Sequence, residues 1–339
     1  MRHDNSIKQK ILCRLSPLAI SLSLLLSCTT PVWAEYQDLV DLPALKIDSA
    51  RYALALDVVP AGDRLVTVGE RGHILFSEDQ GETWTQAEVD TRAHLNAVFF
   101  ADAEHGWAVG EDAVIVHSAD GGRSWARQFD ARDASVKGPL LDVWFRNAQE
   151  GFAIGVYNKI YKTADGGESW EDWYDHVDNL DEWHLFAIAA VNDDVIYLAS
   201  EMGQLFRSTD GGESFAPLQT DHYGSFHGIL ARQGADGRDI LLLSGVGGVL
   251  YATFDSAETW VALDTGTEAG LSGGTWLDDG SAMVVGYGGM LLQVDAGLQS
   301  VSMHPQENGM PLSGVAALTE DKLILVGFGG PQAIALPQQ

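Results

Sequence analysis

One short motif recurs along this chain and leaves few folds open to it. Its copies read SEDQGETW (77–84), SADGGRSW (118–125), TADGGESW (163–170), STDGGESF (208–215) and TFDSAETW (253–260); a worn sixth, QVDAGLQS (293–300), keeps the Asp and the Gly. The aspartates are Asp79, Asp120, Asp165, Asp210, Asp255 and Asp295, spaced 41, 45, 45, 45 and 40 residues apart. A period of about 40–45 residues is that of one four-stranded propeller blade.

The sequence around the motif agrees. Short β-branched and aromatic runs precede each copy, such as LNAVFF, GWAVG and VIVHS before the second, and another, WARQF, follows it. Four short strands per repeat, with no amphipathic helical pattern, make an all-β unit. Eight residues before each full motif, and seven before the worn sixth, stands a small residue: Gly69, Gly110, Gly155, Ser200, Gly245 or Gly286. Three positions later comes Gly72, Ala113, Asn158, Gly203, Gly248 or Gly289. Gly and Asn tolerate the positive φ of a tight hairpin, so this register predicts the turn between second and third strands, with Ala113 its poorest fit.

Residues 312–336 repeat the first three strands and the glycine pair (Gly327, Gly330), without the motif or a fourth strand. Residues 36–46, YQDLVDLPALK, form a spare strand ahead of the first repeat. Donating it to the last blade removes two open edges. The expected fold is therefore a single all-β, seven-bladed β-propeller over residues 35–339, its ring closed by the N-terminal strand.

The motif has the form [ST]-x-D-x-G-x-[ST]-W, the Asp box or BNR repeat. Asp and hydroxyl side chains bond backbone N–H groups in a turn, the Gly permits its tight path, and the aromatic buries a large face between layers. Asp79, Asp120, Asp165, Asp210, Asp255 and Asp295, with Trp84, Trp125, Trp170 and Trp260, thus read as structural. Six equivalent carboxylates around a ring do not converge on one substrate.

The pattern G-x-x-[GN]-x-[IL] followed by [ST]-x-D-G-G-x-[ST]-[WF], as in residues 203–215, resembles the photosystem II stability and assembly factor family and its relatives in non-photosynthetic bacteria. The resemblance covers nearly all of residues 50–336. It implies an exported propeller that binds membrane-protein subunits during assembly, without catalysis. The alternative within Asp-box proteins is a sialidase-like glycoside hydrolase. No Arg-Ile-Pro signature occurs, and the first repeat offers only Arg51, Arg64 and Arg71 for a substrate carboxylate.

The N-terminus reads as an export signal. Lys8, Lys10 and Arg14 precede an apolar run, LAISLSLLLS (18–27), too short to span a bilayer. Val32 and Ala34 suit an ordinary cleavage site, giving a signal over residues 1–34. LLSC ending at Cys28 is an acceptable lipobox, giving a signal over 1–27 and a lipidated Cys28. The expected location is the periplasm, with no membrane insertion apart from such an anchor. The only cysteines are Cys13 and Cys28, so the folded domain has no pair to oxidise.

The whole chain carries a net charge of −28; without residues 1–34, which hold four basic residues and one acidic one, it carries −31. That excess argues against nucleic acid. No cofactor or metal is called for. The segment DHVDNLDEWH (175–184), with Asp221, His222 and His227, matches no zinc or EF-hand spacing and reads as polar inter-blade loops. Arg123, Arg127 and Arg132 sit at the spacing of a solvated outer strand. A monomer that binds a protein partner, such as an envelope or membrane complex, is expected.

In a propeller the second-to-third-strand hairpins share a face with the inter-blade connections, opposite the Asp boxes. Early tips carry Glu70, Arg71, Glu111, Asp112 and Glu201; late tips carry Val246, Tyr287 and Phe328. Loop tips on a rigid scaffold are where binding residues concentrate. These eight form the candidate binding site, one arc acidic and the other apolar.

Overall fold

The computed structural model describes residues 37–132, 134 and 137–337. The export signal, Cys28, the Val32–Ala34 site and Tyr36 lie outside these residues. Seven sheets follow one another around a ring, as residues 55–86, 95–129, 140–172, 185–219, 226–263, 271–303 and 312–335, all antiparallel except that Glu88–Val89 adds in parallel to the outermost strand, Ser124–Phe129, of the second. We number them blades 1 to 7. Within each, the antiparallel strands run in sequence order from the channel outward. Among the described residues no helix is long and apolar enough to cross a membrane.

The second strand explains why so much of the sequence is unbroken apolar run. Gly106–Gly110, Gly151–Gly155, Ile196–Ser200 and Ala282–Gly286 are buried at every position. Each is covered on both faces by neighbouring blades, so it reads as a continuous hydrophobic run rather than an alternation.

The two small-residue registers have different causes. Gly72, Ala113, Asn158 and Gly203 have φ of 70°, 54°, 56° and 74°, as a tight turn requires. Ala113 accepts this strained backbone while fully buried. The earlier register is not left-handed: Gly69 and Gly110 are extended, with φ of −178° and −171°. What excludes a side chain there is close approach, because a Cβ on Gly110 meets the carbonyl oxygen of His94. Ser200 fits this register by donating its hydroxyl to the His184 carbonyl at 2.6 Å.

The motif turns are blade-to-blade seams. Asp120 accepts from the Ser118 hydroxyl (2.8 Å), the Ser124 amide (2.9 Å) and the Ser124 hydroxyl (2.6 Å), and the Trp125 indole donates to the Gly122 carbonyl at 3.0 Å. Asp165, Asp210 and Asp255 repeat this pattern. Asp295 keeps a turn of its own, accepting the Gln299 amide at 2.8 Å. The preceding blade then donates into the turn: Arg64 to the Gly121 carbonyl, Arg146 to Gly211, Arg207 to Ser256 and Arg232 to Ala296. Trp173, which belongs to no motif, serves the fourth turn by donating to the Gly212 carbonyl at 2.9 Å.

Ring closure differs from expectation. Among the described residues blade 7 has three strands and takes none from the N-terminus. Residues 37–46 lie instead over blades 1 and 2: Val40 is buried with Val89, Leu95 and Trp125, the Ala44 amide donates to the Val89 carbonyl, and the Arg92 amide donates to that of Leu39. Two arginines assigned to a solvated strand hold it there. Arg127 reaches the Val40 carbonyl and Asp41, and Arg132 forms a two-pronged pair with Asp41 at 2.7 and 2.8 Å. This buried anchor and forked ion pair, invisible to a count of spare strands, outweigh edge pairing. Blades 1 and 7 meet by side-chain packing of Ala55, Val58 and Leu65 on Ala316, Ile324 and Val326.

Candidate functional site

Each hairpin tip presents two outward positions between buried neighbours. At the first stand Glu70, Glu111, Val156, Glu201, Val246, Tyr287 and Phe328; at the second, Arg71, Asp112, Tyr157, Met202 and three glycines. All eight candidate residues therefore share one face. Glu111, Asp112, Arg71, Val246, Tyr287 and Phe328 are exposed. Glu70 and Glu201 are half-buried and turn back toward the connections, accepting the Leu54 amide at 3.4 Å and the His184 amide at 3.5 Å.

The apolar arc is longer than the first tip position suggests. Tyr157 and Met202 occupy the second position with φ of 56° and 55° and stand out into solvent. Inter-blade connections add Tyr52, Leu180, Tyr223 and Met310, and Leu180 is 92% exposed. Among the described residues no exposed large apolar side chain lies in a motif turn or in a turn between first and second strands. One end of the ring is thus apolar and the other is not. The apolar crescent keeps acidic company, with exposed Asp178, Asp181 and Glu182 beside Leu180, and Asp221 beside Tyr223.

The polar loops are used internally. His176 sits 2.7 Å from the Glu213 carbonyl and stacks on Trp173; His184 lies edge-on to Tyr157. Asn179 bonds Asn158 and both ends of the Trp183 peptide region. Among the described residues no three His, Cys, Asp or Glu side chains converge as metal ligands. Nor do the arginines of blade 1 converge. Arg64 and Arg71 stand near opposite ends of one strand, and Arg64 is engaged by the Gly121 carbonyl.

Sequence reasoning missed the channel. The innermost strands line a cavity of about 330 Å³ that holds Asp57, Asp142, Asn96, His227, Ser272 and Ser313. Asp57 accepts the Val58 amide at 2.7 Å and the Val98 amide of blade 2 at 2.9 Å; Asp142 accepts Val143 at 2.8 Å and Ile188 of blade 4 at 2.9 Å. Both follow a bulge in the innermost strand. Depth inside the ring pushes the Asp142 carboxyl up to about 7, against the Ile188 amide, and the like charge of Asp57 adds to the rise. Burial raises Asp57 as well. Both side chains remain partly open to channel water. The recoverable signal is an Asp two residues past the start of the innermost strand in two repeats only.

Two stretches, residues 38–132 and 127–331, match the sequence pattern of the family described as Photosynthesis system II assembly factor YCF48. The chain belongs to the YCF48 family. Among solved structures it is similar to YCF48 bound to a D1 peptide, with TM-score 0.67 and 19% identity over 88% of this chain and 100% of that one. YCF48 from Cyanidioschyzon merolae gives 0.66 and 17%, over 85% and 96%. The WD40 propeller domain of Doa1 gives 0.65 and 12%, over 89% and 97%. At such identities these structures speak for the fold. No curated protein matches the sequence.

Proposed function

We propose that this YCF48-family propeller is an exported, non-catalytic assembly factor whose hairpin face holds an extended segment of an envelope or membrane protein. The observation that carries this reading is that, among the described residues, exposed large apolar side chains stand on the hairpin tips and inter-blade connections at one end of the ring and on none of the turns at the other. Aromatic side chains at rigid tips cost solubility unless a partner covers them. The neighbouring carboxylates favour a basic segment and set its direction. A YCF48 bound to a D1 peptide shows that a relative takes a peptide. The motif aspartates are consumed by turn hydrogen bonds and the blade 1 arginines are dispersed, which supports the non-catalytic reading.

The test is capture from detergent-solubilised envelope, quantified for the native protein and for Tyr287→Ala/Phe328→Ala at matched thermal stability. The double variant is expected to lose most of its partner, and Glu111→Lys to weaken capture in a salt-dependent way. Undiminished capture by both variants refutes the face. Turnover of a fluorogenic sialoside refutes the non-catalytic reading. Intact mass of the exported protein distinguishes a start at Glu35 from a lipidated Cys28.

A further inference from the structure

The seam between blades 6 and 7 differs from its counterparts. At the seams before blades 2, 4, 5 and 6, a motif turn sits against its own blade's first turn and takes an arginine from the blade before. The Gly121 amide, for example, donates to the Glu104 carbonyl, while Arg64 donates to the Gly121 carbonyl. At the corresponding place before blade 7 there is a cavity of about 470 Å³. Its floor is Leu277, Ala317, Leu318 and Leu336, and its rim carries Asp278, Asp279 and Glu320. The Leu336 amide donates to the Asp321 carbonyl where a motif turn begins elsewhere.

The strand beside this cavity is an open edge. Third strands of other blades are mostly buried, as in Ile74–Ser77, Ile115–Ser118 and Ile160–Thr163. In blade 7, Gln332–Ala335 is exposed at Gln332, Ala333 and Ala335, and among the described residues nothing pairs with its outer side. An apolar edge strand with free backbone groups is a template for strand addition.

We propose that this seam is a second docking site, on the end of the ring opposite the hairpin tips. It takes an extended peptide that adds to Gln332–Ala335 as the fourth strand of blade 7. The other blades specify the occupant. An aromatic residue stands at the end of each full motif, and Trp84 packs between blades 7 and 1. The incoming strand therefore brings an aromatic side chain to the Leu277–Leu318 cavity. Where the seams before blades 2, 4, 5 and 6 place an arginine, this one places Asp278 and Asp279, so the charge preference is reversed and the peptide carries a basic residue beside the aromatic. The inference does not depend on the hairpin face.

The probe is a fluorescein-labelled peptide of sequence SADGGRSWARQF, this chain's own residues 118–129, which supplies a turn, an aromatic, two arginines and a strand. Anisotropy titration of the full chain is expected to saturate. Replacing the peptide's Trp by Ala, or the exposed protein residues by Asp278→Lys/Glu320→Lys, should each weaken binding about tenfold, as the loss of a buried aromatic or a reversed charge does. Bound peptide should slow hydrogen exchange at residues 332–335. Tyr287→Ala/Phe328→Ala should leave this binding unchanged, which separates the site from the hairpin face. The proposal is overturned by absence of saturation, by binding that does not protect 332–335, or by binding indifferent to both substitutions. A concentration-dependent dimer protected at 332–335 assigns the edge to a second copy. Binding gained only on deleting residues 1–36 assigns it to this chain's own N-terminus. Either outcome also overturns it.

Discussion

The hydroxyl of Ser313 in blade 7 donates to the carbonyl of Ala55 in blade 1, 258 residues earlier, at 2.6 Å. The bond spans the ring's closing seam at its channel end, beside the packing of Val58 on Ala316.

Ser313→Ala removes that donor and leaves the Ala55 carbonyl without it. The expected cost is about 1 kcal/mol, the usual net value of such a bond. Thermal unfolding followed by circular dichroism should show a lower midpoint with unchanged cooperativity. An unchanged midpoint means that packing alone closes the seam.

Asp120→Ala should cost more, because three hydrogen bonds to Ser118 and Ser124 are lost at a turn that also receives Arg64. We expect about 2 kcal/mol by urea unfolding. The same turns govern acid behaviour. Hydrogen bonds from Ser169 hold Asp165 down to about 2, and those from Thr259 hold Asp255 there too. A depressed carboxyl stabilises the fold fully above its unfolded value of about 4, and that contribution is lost as pH falls toward 2. Acid unfolding below pH 4 should be shallower in Asp165→Asn.

Asp142 works in the opposite direction. Its folded value near 7 exceeds the unfolded value of about 3.9, so the native state binds the extra proton between them. Stability from this group is therefore greatest below about pH 4 and declines as pH rises through 7. Asp142→Asn mimics the protonated acid and should flatten the pH dependence of the melting temperature between 4 and 7. An equally steep profile in the variant excludes Asp142 as its source.

Arg132→Gln breaks the fork onto Asp41, which with Arg127 holds the Asp41 carboxyl down to about 2. The N-terminal segment should then open locally without loss of the ring. Limited trypsin digestion should cut after Lys46 sooner, and hydrogen exchange at Ala44 should quicken. A drop in global stability equal to the local change refutes an independent segment.

The blade count was legible because its carriers are local: Asp120, Ser124 and Gly122 meet within one turn, and the second strands are apolar at every residue. Propeller topology followed from repetition. What escaped was long-range. Val40 beneath Trp125, and Asp41 on Arg132, depend on side-chain geometry across about 90 positions, which edge counting does not see. At the site, the first tip position carries Val246, Tyr287 and Phe328, whereas Tyr157 and Met202 stand one residue later, where the glycines of the late tips give no hint of an apolar side chain. Glu70 and Glu201 look like outward charges in the sequence, which gives no sign that the amides of Leu54 and His184 stand within reach of them.

Each blade is made of consecutive residues, and among the described residues none borrows a strand from the far end of the chain. Blades can therefore form in the order in which the polypeptide emerges, each on the one before. The seam of Ala55, Val58 and Leu65 is the exception, because its cover arrives with residues 312–327. Until then the first blade keeps an apolar flank bare, and a nascent chain caught at that stage offers sticky surface to its neighbours. The yield of folded protein, more than its final stability, should depend on how quickly residues 312–327 follow the rest.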